Sequence, residues 1–435
     1  MPTTALPPEH PQRALLHNEI HARPPDALVP PLALTHVVMW ADAQQREASR
    51  AQLAQLLREH QLPTPDAQAT HVRADLGRWR LRWELHTEFV TWTFSTALGG
   101  PPGPYPAQAS DAVAQDWLAR LPGQCLCRLQ LWALPLPKGG GEGEGEVPAP
   151  LAWLHEEQLV ASSVAGGQAR VYTDFALHAD GSSRMVLQAG ALTPRRLGRL
   201  VQRLLEIETY RMAGLLGLPQ ARSAAAELAR AEQELAALAE AIRSADGDAE
   251  PQLLDRLTRL AGQVESQYAA THARFSASGA YFDLVAQRIR EIGEARLGAL
   301  QTIGEFMERR LSPARSTCEW AARRQDALSQ RIARISHLLR TRVEIAQQQN
   351  SQALLAAMNQ RQDAQLRLQS TVEGLSVAAI TYYIVGLVSY LAKGAQGLGW
   401  PWTPETTAAL AIPLVAAGVW CSLRRLHHRI FQRQK

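Results

Sequence analysis

The sequence predicts an α+β amino-terminal domain, a long helical stalk able to form a coiled coil, and a carboxy-terminal hairpin of two transmembrane helices. Three observations predict this class: period-two alternation from Trp79 to Leu85, no proline from 314 to 400, and two uncharged stretches at 374–392 and 406–423. The 435-residue chain is 46% hydrophobic, which excludes a disordered protein. Its four cysteines exclude a disulfide scaffold, and a net charge of +4 is too small to indicate a nucleic-acid partner.

Residues 1–192 are predicted to form a mixed α/β cytoplasmic domain. The amino terminus lacks the apolar stretch that a secretory signal needs, so we expect this domain to stay in the cytoplasm. Short apolar runs and alternating runs predict strands, and apolar residues at helical spacing predict one helix. The strands are expected at Leu32–Trp40, 79–85, 90–94, 127–131, 169–178 and 183–188, with a turn at Asp180–Gly181, and the helix at Ala43–His60.

Residues 193–311 are predicted to be helical. Thr193 is a candidate N-cap, and Pro194 suits the first helical position after it. Glycine and proline at Gly217–Pro219 predict a break, after which a second helix is expected over about 220–244. A third helix is expected to begin near 250 and to extend as far as Leu311.

Residues 312–373 are predicted to form a single stalk helix, which would span about 90 Å from Pro313 to Glu373. A helix of this length needs a packing partner. The partner is either the same helix of another subunit in a homo-oligomer or the chain's own residues 220–311. Apolar residues at spacings near a heptad would form the seam, at Leu328, Ile332, Ile335, Leu339, Val343 and Ala346.

The carboxy-terminal segment is predicted to contain transmembrane helices at 374–392 and 406–423, joined by an external link at 393–405. Each stretch is close to the length that crosses about 30 Å of hydrocarbon. The tail at 424–435 is basic and the link carries only Lys393, so the distribution of arginine and lysine places both termini in the cytoplasm. We expect a two-span protein of the bacterial inner membrane. The alternative is a buried helical hairpin in a soluble core.

Four stretches of the sequence carry a resemblance to a known family. They are HNEIHARPP (17–25), HTEF (86–89), LVQRLLEIETYRMAGLLGLPQAR (200–222) and the long stretch 340–394. They resemble an uncharacterised bacterial family of membrane-anchored proteins that contain a domain of unknown function. The resemblance covers nearly the whole chain, and it implies a membrane anchor without an established activity.

The order of the segments also resembles the CorA-type magnesium channels. In that family an α/β domain and long cytoplasmic helices precede two spans, and the channel is a pentamer with the first span lining the pore. The resemblance implies a homo-oligomer that transports a divalent cation. The chain departs from the family where its Gly-Met-Asn signature would stand, because residues 391–399 read LAKGAQGLG.

A pore lined by the first span would place Tyr382, Gly386, Ser389 and Lys393 on one helical face. Small and polar residues on one face are typical of a hydrated path, and equally of close helix packing. A ring of Lys393 at the outer mouth would repel cations, which argues against a cation channel.

Asp363 and Glu373 would form carboxylate rings just inside the membrane in an oligomer. Such rings can concentrate divalent cations. The alternative is pairing within the helix, since Asp363 and Arg367 are separated by four residues.

Two rows of imidazole and carboxylate groups are candidates for binding a metal or another ligand. The first is His17, Glu19 and His21, and the second is Glu84, His86 and Glu88. In a strand each row would share one face. The alternatives are structural hydrogen bonding for the first row and a solvent-exposed strand face for the second. A divalent cation is the one cofactor that these candidates suggest.

No sequence motif of a common enzyme class is present, so we expect a protein that is not an enzyme. Two functions agree with the sequence. One is a CorA-like ion channel or transporter. The other is a non-transporting sensor or scaffold, anchored in the lipid bilayer, whose cytoplasmic domain binds a ligand or a partner.

Overall fold

The computed structural model divides the chain into two compact units. The first comprises residues 1–244 and 255–336, and the second comprises residues 245–254 and 337–435. The structure describes residues 9–14, 16–17, 24–99, 107–137, 152–245, 249–396, 399 and 401–431.

The first unit contains a nine-stranded sheet in the order β2-β3-β4-β1-β5-β8-β7-β6-β9. Neighbouring strands are antiparallel except β5 and β8, which are parallel, so the sheet is mixed. The strands are β1 (Leu32–Trp40), β2 (His71–Asp75), β3 (Arg80–Leu85), β4 (Phe89–Ala97), β5 (Gln124–Pro135), β6 (Val160–Val164), β7 (Ala169–Thr173), β8 (Ser183–Ala189) and β9 (Ala295–Arg296).

The structure gives the bounds of eight α-helices in the part of the chain that it describes. They are α1 (Ala43–Glu59), α2 (Gln115–Leu118), α3 (Pro194–Leu215), α4 (Gly217–Ser244), α5 (Glu250–Ile292), α6 (Ile303–Arg310), α7 (Ser312–Gln396) and α8 (Pro404–Phe431). The predicted α/β sheet domain followed by long helices is therefore confirmed.

One face of the sheet forms the main hydrophobic core with α1. Trp83 of β3, Trp92 and Phe94 of β4, and Leu53 and Leu57 of α1 are almost completely buried there. Full burial of such side chains stabilises the fold by about 1.5–3 kcal/mol each. The alternation of apolar residues predicted the β3–β4 hairpin. The apolar residues in this alternation form the sheet face that packs against α1.

Helix α3 covers the other face. It follows Thr193 as N-cap with Pro194 in its first turn, as predicted. Its apolar residues recur every three or four positions, and the buried ones include Leu197, Leu200, Val201, Leu204 and Leu205. Because α1 and α3 lie on opposite faces, the central strands are buried on both sides, and β1 is buried along almost its whole length.

Gly198 allows α3 to approach the segment that precedes β1. A Cβ atom at this position would lie 1.6 Å from the carbonyl oxygen of Asp26, a distance that no real contact permits. The glycine is therefore required by close backbone approach.

The first part of α7 packs on α4 and α5. Arg324 of α7 forms an ion pair with Glu232 of α4, with a nitrogen–oxygen distance of 2.5 Å. Gln325 of α7 donates a hydrogen bond of 2.9 Å to Thr271 of α5. Leu328 and Ile332, two of the predicted seam residues, are buried within the chain. These contacts agree with the intramolecular alternative for this part of the seam.

The prediction of one helix from about 250 to Leu311 was wrong. Helix α5 ends at Ile292, and Gly293 follows with a φ of +59°, which ends a helix readily because glycine has no Cβ. Glu294 then accepts hydrogen bonds from the Ser162 hydroxyl and the Gly304 amide. Through these two hydrogen bonds, the Glu294 carboxylate links the segment between α5 and α6 to β6 and holds the start of α6 in place.

The second unit contains two helices long and apolar enough to cross a membrane. The most apolar 18-residue window within 303–396 has a mean hydropathy of 1.8, and 6% of it is buried within the chain. The corresponding window within Pro404–Leu423 has a mean hydropathy of 1.7, and none of it is buried. A helix in the core of a soluble protein would be mostly buried. Length, composition and exposure together indicate association with a membrane.

We predict opposite effects on stability for two glycine-to-alanine substitutions in helices. Gly198→Ala should lower the free energy of unfolding by about 2 kcal/mol or more, because the new methyl group collides with the Asp26 carbonyl. Gly262→Ala in α5 meets no atom within 4 Å and should raise it by about 1 kcal/mol through helix propensity. Thermal unfolding of the full chain in detergent measures both, and equal melting temperatures would contradict the close approach at Gly198.

Candidate functional site

A row of polar residues crosses the sheet on the face that α3 covers. The strand register places His36 of β1 opposite Thr93 of β4, Thr93 opposite Arg82 of β3, and Arg82 opposite Arg73 of β2. The alternation in β3 correctly separates the Arg82 face from the Trp83 face. Helices cover the middle of this polar face, where Arg82 is only 8% exposed, whereas Arg73 on the outer strand β2 is exposed.

His36 links the sheet to α3 through both ring nitrogens. Its Nδ1 lies 2.7 Å from the Thr93 hydroxyl oxygen, and its Nε2 lies 2.9 Å from the Thr209 hydroxyl oxygen. The Thr209 hydroxyl donates its only proton to the Leu205 carbonyl at 2.8 Å. Thr209 must therefore accept from Nε2–H, and Nδ1 accepts from Thr93. Burial lowers the pKa of His36 to about 4, so this neutral tautomer persists at physiological pH.

Arg82 is held between two carboxylates at the sheet side of the site. It donates a 2.8 Å hydrogen bond to Glu84 and lies 3.6 Å from Asp26. Asp26 also pairs with Arg73 at 2.9 Å, which offsets the repulsion between the two facing arginines. Burial alone would raise the pKa of Glu84, but the charge and hydrogen bond of Arg82 outweigh it and lower that pKa. Glu84 is therefore an anion in the folded protein.

The helix side of the site is formed by α3 and α5. Glu206 of α3 forms an ion pair with Arg288 of α5, and Gln202 donates a 2.9 Å hydrogen bond to Glu206. Arg288 also lies 3.0 Å from Glu291. Burial would lower the pKa of Arg288, but its two acidic partners outweigh that effect and raise it.

These groups surround a cavity of about 230 Å³. This volume has room for several waters or for a small polar molecule. The lining residues are His36, Arg82, Glu84, His86, Thr91, Thr93, Gln202, Leu205, Glu206, Thr209, Tyr210 and Arg288. The positive charges of two guanidinium groups in this lining balance the negative charges of two carboxylates.

A family model described as Protein of unknown function (DUF3422) matches residues 8–430. The chain belongs to this family. The match spans nearly the whole length and agrees with the resemblance seen in the sequence. No curated protein and no solved structure matches the chain.

The structure brings part of the second predicted row of this DUF3422 chain into the cavity. Glu84 and His86 both line it. Glu88 does not, because it forms an ion pair with Arg274 and accepts a 2.7 Å hydrogen bond from the Tyr281 hydroxyl. Glu88 therefore joins the β3–β4 turn to α5, which is a structural role.

The first predicted row is described only at His17. This residue is exposed and lies in a helical stretch, so the strand expected to align the row is not found there. Glu19 and His21 lie outside the described residues. No meeting of the two rows is therefore observed.

The residues predicted for a pore or a cation ring all lie on α7. Tyr382 and Lys393 are exposed, and Gly386 and Ser389 are half-buried within the chain. Asp363 is exposed, and Glu373 accepts a 3.3 Å hydrogen bond from Gln369 four residues earlier. A ring of any of these residues requires other copies of the chain, so the pore and the rings stay predictions.

Sequence reasoning missed a different group of candidate ligands. Among the described residues, one group of three histidine, cysteine or acidic side chains has all its ligand atoms within 4.8 Å of one another, namely His155, Asp174 and His178. The spacing of four between Asp174 and His178 is a weak signal. Nothing in the sequence links them to His155, because the strands β6 and β7 separate them.

We predict that acid destabilises the protein partly through His36. Between pH 6.5 and about 4 the unfolded chain protonates this histidine and the folded chain does not, so stability falls as pH falls through that range. Over this whole range the loss in the free energy of unfolding is about 3 kcal/mol, at 1.36 kcal/mol for each unit of difference between the folded and unfolded pKa values. His36→Gln should flatten the pH dependence of the melting temperature between pH 4 and 6.5. An unchanged slope in the variant would contradict this assignment.

Proposed function

We propose that this protein is a membrane-anchored, non-transporting sensor or scaffold whose cytoplasmic α/β domain binds a small polar molecule. The observation that supports the proposal is the cavity between the sheet and α3, which concentrates charged and hydroxyl side chains in a partly enclosed space. Cavities with converging polar groups and shifted pKa values are typical of binding sites. The sequence offers no motif for an enzymatic reaction there.

The lining favours a ligand without net charge that both donates and accepts hydrogen bonds. The charges of Arg82 and Arg288 balance those of Glu84 and Glu206, so an ion would meet no excess of opposite charge. Thr93 gives its proton to His36 and therefore offers only lone pairs to a ligand. The Nε atom of Arg82 is buried and makes no hydrogen bond to the described residues, so it requires an acceptor. A polyol or a zwitterionic amino acid meets these conditions.

The anchor in this proposal is the pair of apolar helices in the second unit. Exposed apolar side chains along them, such as Tyr383, Leu387 and Leu414, are compatible with lipid contact. The excess of arginine at 424–435, after the second apolar stretch, supports the inner membrane of a bacterium with both termini in the cytoplasm. A homo-oligomer would cover part of the remaining exposed face of α7.

A ligand at this site can be recognised by its dependence on Glu206. We expect a small uncharged or zwitterionic polar compound to raise the melting temperature of the full chain in detergent. Glu206→Gln should abolish most of this rise, because Glu206 lines the cavity. The matched control is Glu232→Gln, which removes one partner of another interhelical ion pair with an arginine, away from the cavity.

The screen uses amino acids, sugars and polyols as probes, each at millimolar concentration. A shift that survives in Glu232→Gln and is lost in Glu206→Gln supports the proposal. No shift with any probe, or equal loss in both variants, contradicts it.

A CorA-like ion transporter is the second candidate, favoured by two apolar helices that are almost unburied within a single chain. The missing Gly-Met-Asn signature and the exposed Lys393 argue against it. We therefore predict that liposomes containing the protein take up Mg²⁺ no faster than protein-free liposomes. Flux that saturates with Mg²⁺, together with a fivefold particle symmetry, would replace the sensor proposal with the transporter.

A further inference from the structure

The second group of polar side chains in the first unit lies around the end of β7. Asp174 follows this strand directly, His178 lies four residues further on, and His155 lies in the segment before β6. The Oδ2 atom of Asp174 is 3.1 Å from His155 Nδ1 and 2.8 Å from His178 Nε2. The two imidazole rings are nearly parallel, with centroids 4.3 Å apart. Two imidazole nitrogens and one carboxylate oxygen therefore converge on one point.

Hydrogen bonding alone gives Asp174 an unfavourable environment. The backbone amide of His155 donates to Oδ2 at 2.9 Å and His178 Nε2 hydrogen-bonds to the same oxygen at 2.8 Å, while His155 Nδ1 lies 3.1 Å away without hydrogen-bond geometry. An ionised carboxylate has about four lone-pair sites on its two oxygens. A cation near Oδ2 would let the two ring nitrogens present lone pairs instead of protons, which removes the competition.

The burial of Asp174 also requires a countercharge. Its side chain is completely buried, and its ion-pair partners among the described residues are the two histidines. A buried carboxylate is normally paired with a cation or bound to a metal, because its desolvation otherwise costs several kcal/mol. Arg184 of the neighbouring strand β8 pairs with Asp180 instead.

The backbone holds this group in place without the ion. The Ala176 amide donates to Asp174 Oδ1 at 3.1 Å, and the His178 amide donates to the Ser182 carbonyl at 2.9 Å. Phe175 between them has a φ of +50°, a conformation that non-glycine residues rarely adopt. Hydrogen bonds of this kind, made to the ligand residues from outside the metal's own coordination sphere, orient metal ligands in many proteins.

We infer that His155, Asp174 and His178 bind a divalent first-row transition-metal ion. With bonds of about 2.1 Å, nitrogen–oxygen contacts of 2.8 and 3.1 Å correspond to angles of about 84° and 95° at the ion. Both angles are close to 90°, so each nitrogen would be a cis neighbour of the carboxylate oxygen in an octahedron. Two imidazoles favour Fe²⁺, Co²⁺ or Zn²⁺ over Mg²⁺ and Ca²⁺, which prefer oxygen ligands.

The site is open to solvent on one side. The side chain of His155 is 53% exposed, whereas that of His178 is 6% exposed. An ion can therefore enter from the surface past His155, and water or a small ligand can complete its coordination. This metal site is separate from the cavity beneath α3, since the two share no lining residue.

The test is a titration of the full chain without an affinity tag, in detergent and after treatment with a chelator. Co²⁺ is the probe, followed by visible absorption and by calorimetry. We expect one equivalent to bind, with the weak absorption of six-coordinate Co²⁺. His155→Ala should weaken binding by roughly 10- to 100-fold or more, because it removes one of three ligands. Asp174→Asn should weaken it similarly.

Three controls make the result specific. Asp180→Asn alters a carboxylate of the same loop that accepts hydrogen bonds from Ser182, and it should leave the affinity unchanged. Replacing both His427 and His428 by alanine removes the histidine pair of the tail and should also leave the affinity unchanged. Melting temperature and circular dichroism show whether each variant is folded, and exposed His155 is the position least needed for folding.

Unchanged Co²⁺ affinity in folded His155→Ala would overturn the site. Absence of binding to the wild-type chain would also overturn it. Loss of Co²⁺ binding in His155→Ala with an unchanged response of the α3 cavity to its polar ligand would support the metal site and show that the two sites are independent.

Discussion

Burial of a polar sheet face is the constraint on which the first unit depends. The strands beneath α3 carry His36, Arg82 and Glu84, and an unpaired polar or charged group there would cost several kcal/mol. His36 meets the constraint by remaining neutral and bonding to one threonine on the sheet and one on the helix. Arg82 and Glu84 meet it by pairing with each other. The position of α3 is thus fixed by direction-dependent bonds as well as by apolar packing.

The same charges that support the cavity also join helices. Glu206 of α3 is the partner of Arg288 in α5, and Arg203 of α3 pairs with Glu291 in α5 at 3.1 Å. A ligand that donates a hydrogen bond to Glu206 would draw on the carboxylate that holds Arg288. Such a ligand would couple occupancy of the cavity to the strength of the α3–α5 contact through one side chain.

Patterns with a clear period predicted much of the fold. The bounds of β1 agree with the apolar run Leu32–Trp40, and α1 matches the expected helix to within one residue at its end. The short strands β2, β6 and β9 were missed, since their residues are mixed in polarity or too few to show a period. Periodicity showed that Arg82 and Glu84 share a face, but it could not show that a helix 110 or more residues later in the chain covers it. His155 and Asp174 were missed for the same reason, because only tertiary structure brings them together.

The two margins of the sheet have a consequence for how copies of the chain can associate. Strand β9, with two residues, occupies one margin, and β2, with five residues, occupies the other. Arg73 and Asp75 are exposed on β2 and place charges where a neighbouring strand would have to align. Short or charged outer strands discourage the intermolecular strand addition that leads to aggregation. Assembly of this chain through extension of its sheet is therefore disfavoured, which leaves the helical surfaces as the favoured contacts among the described residues.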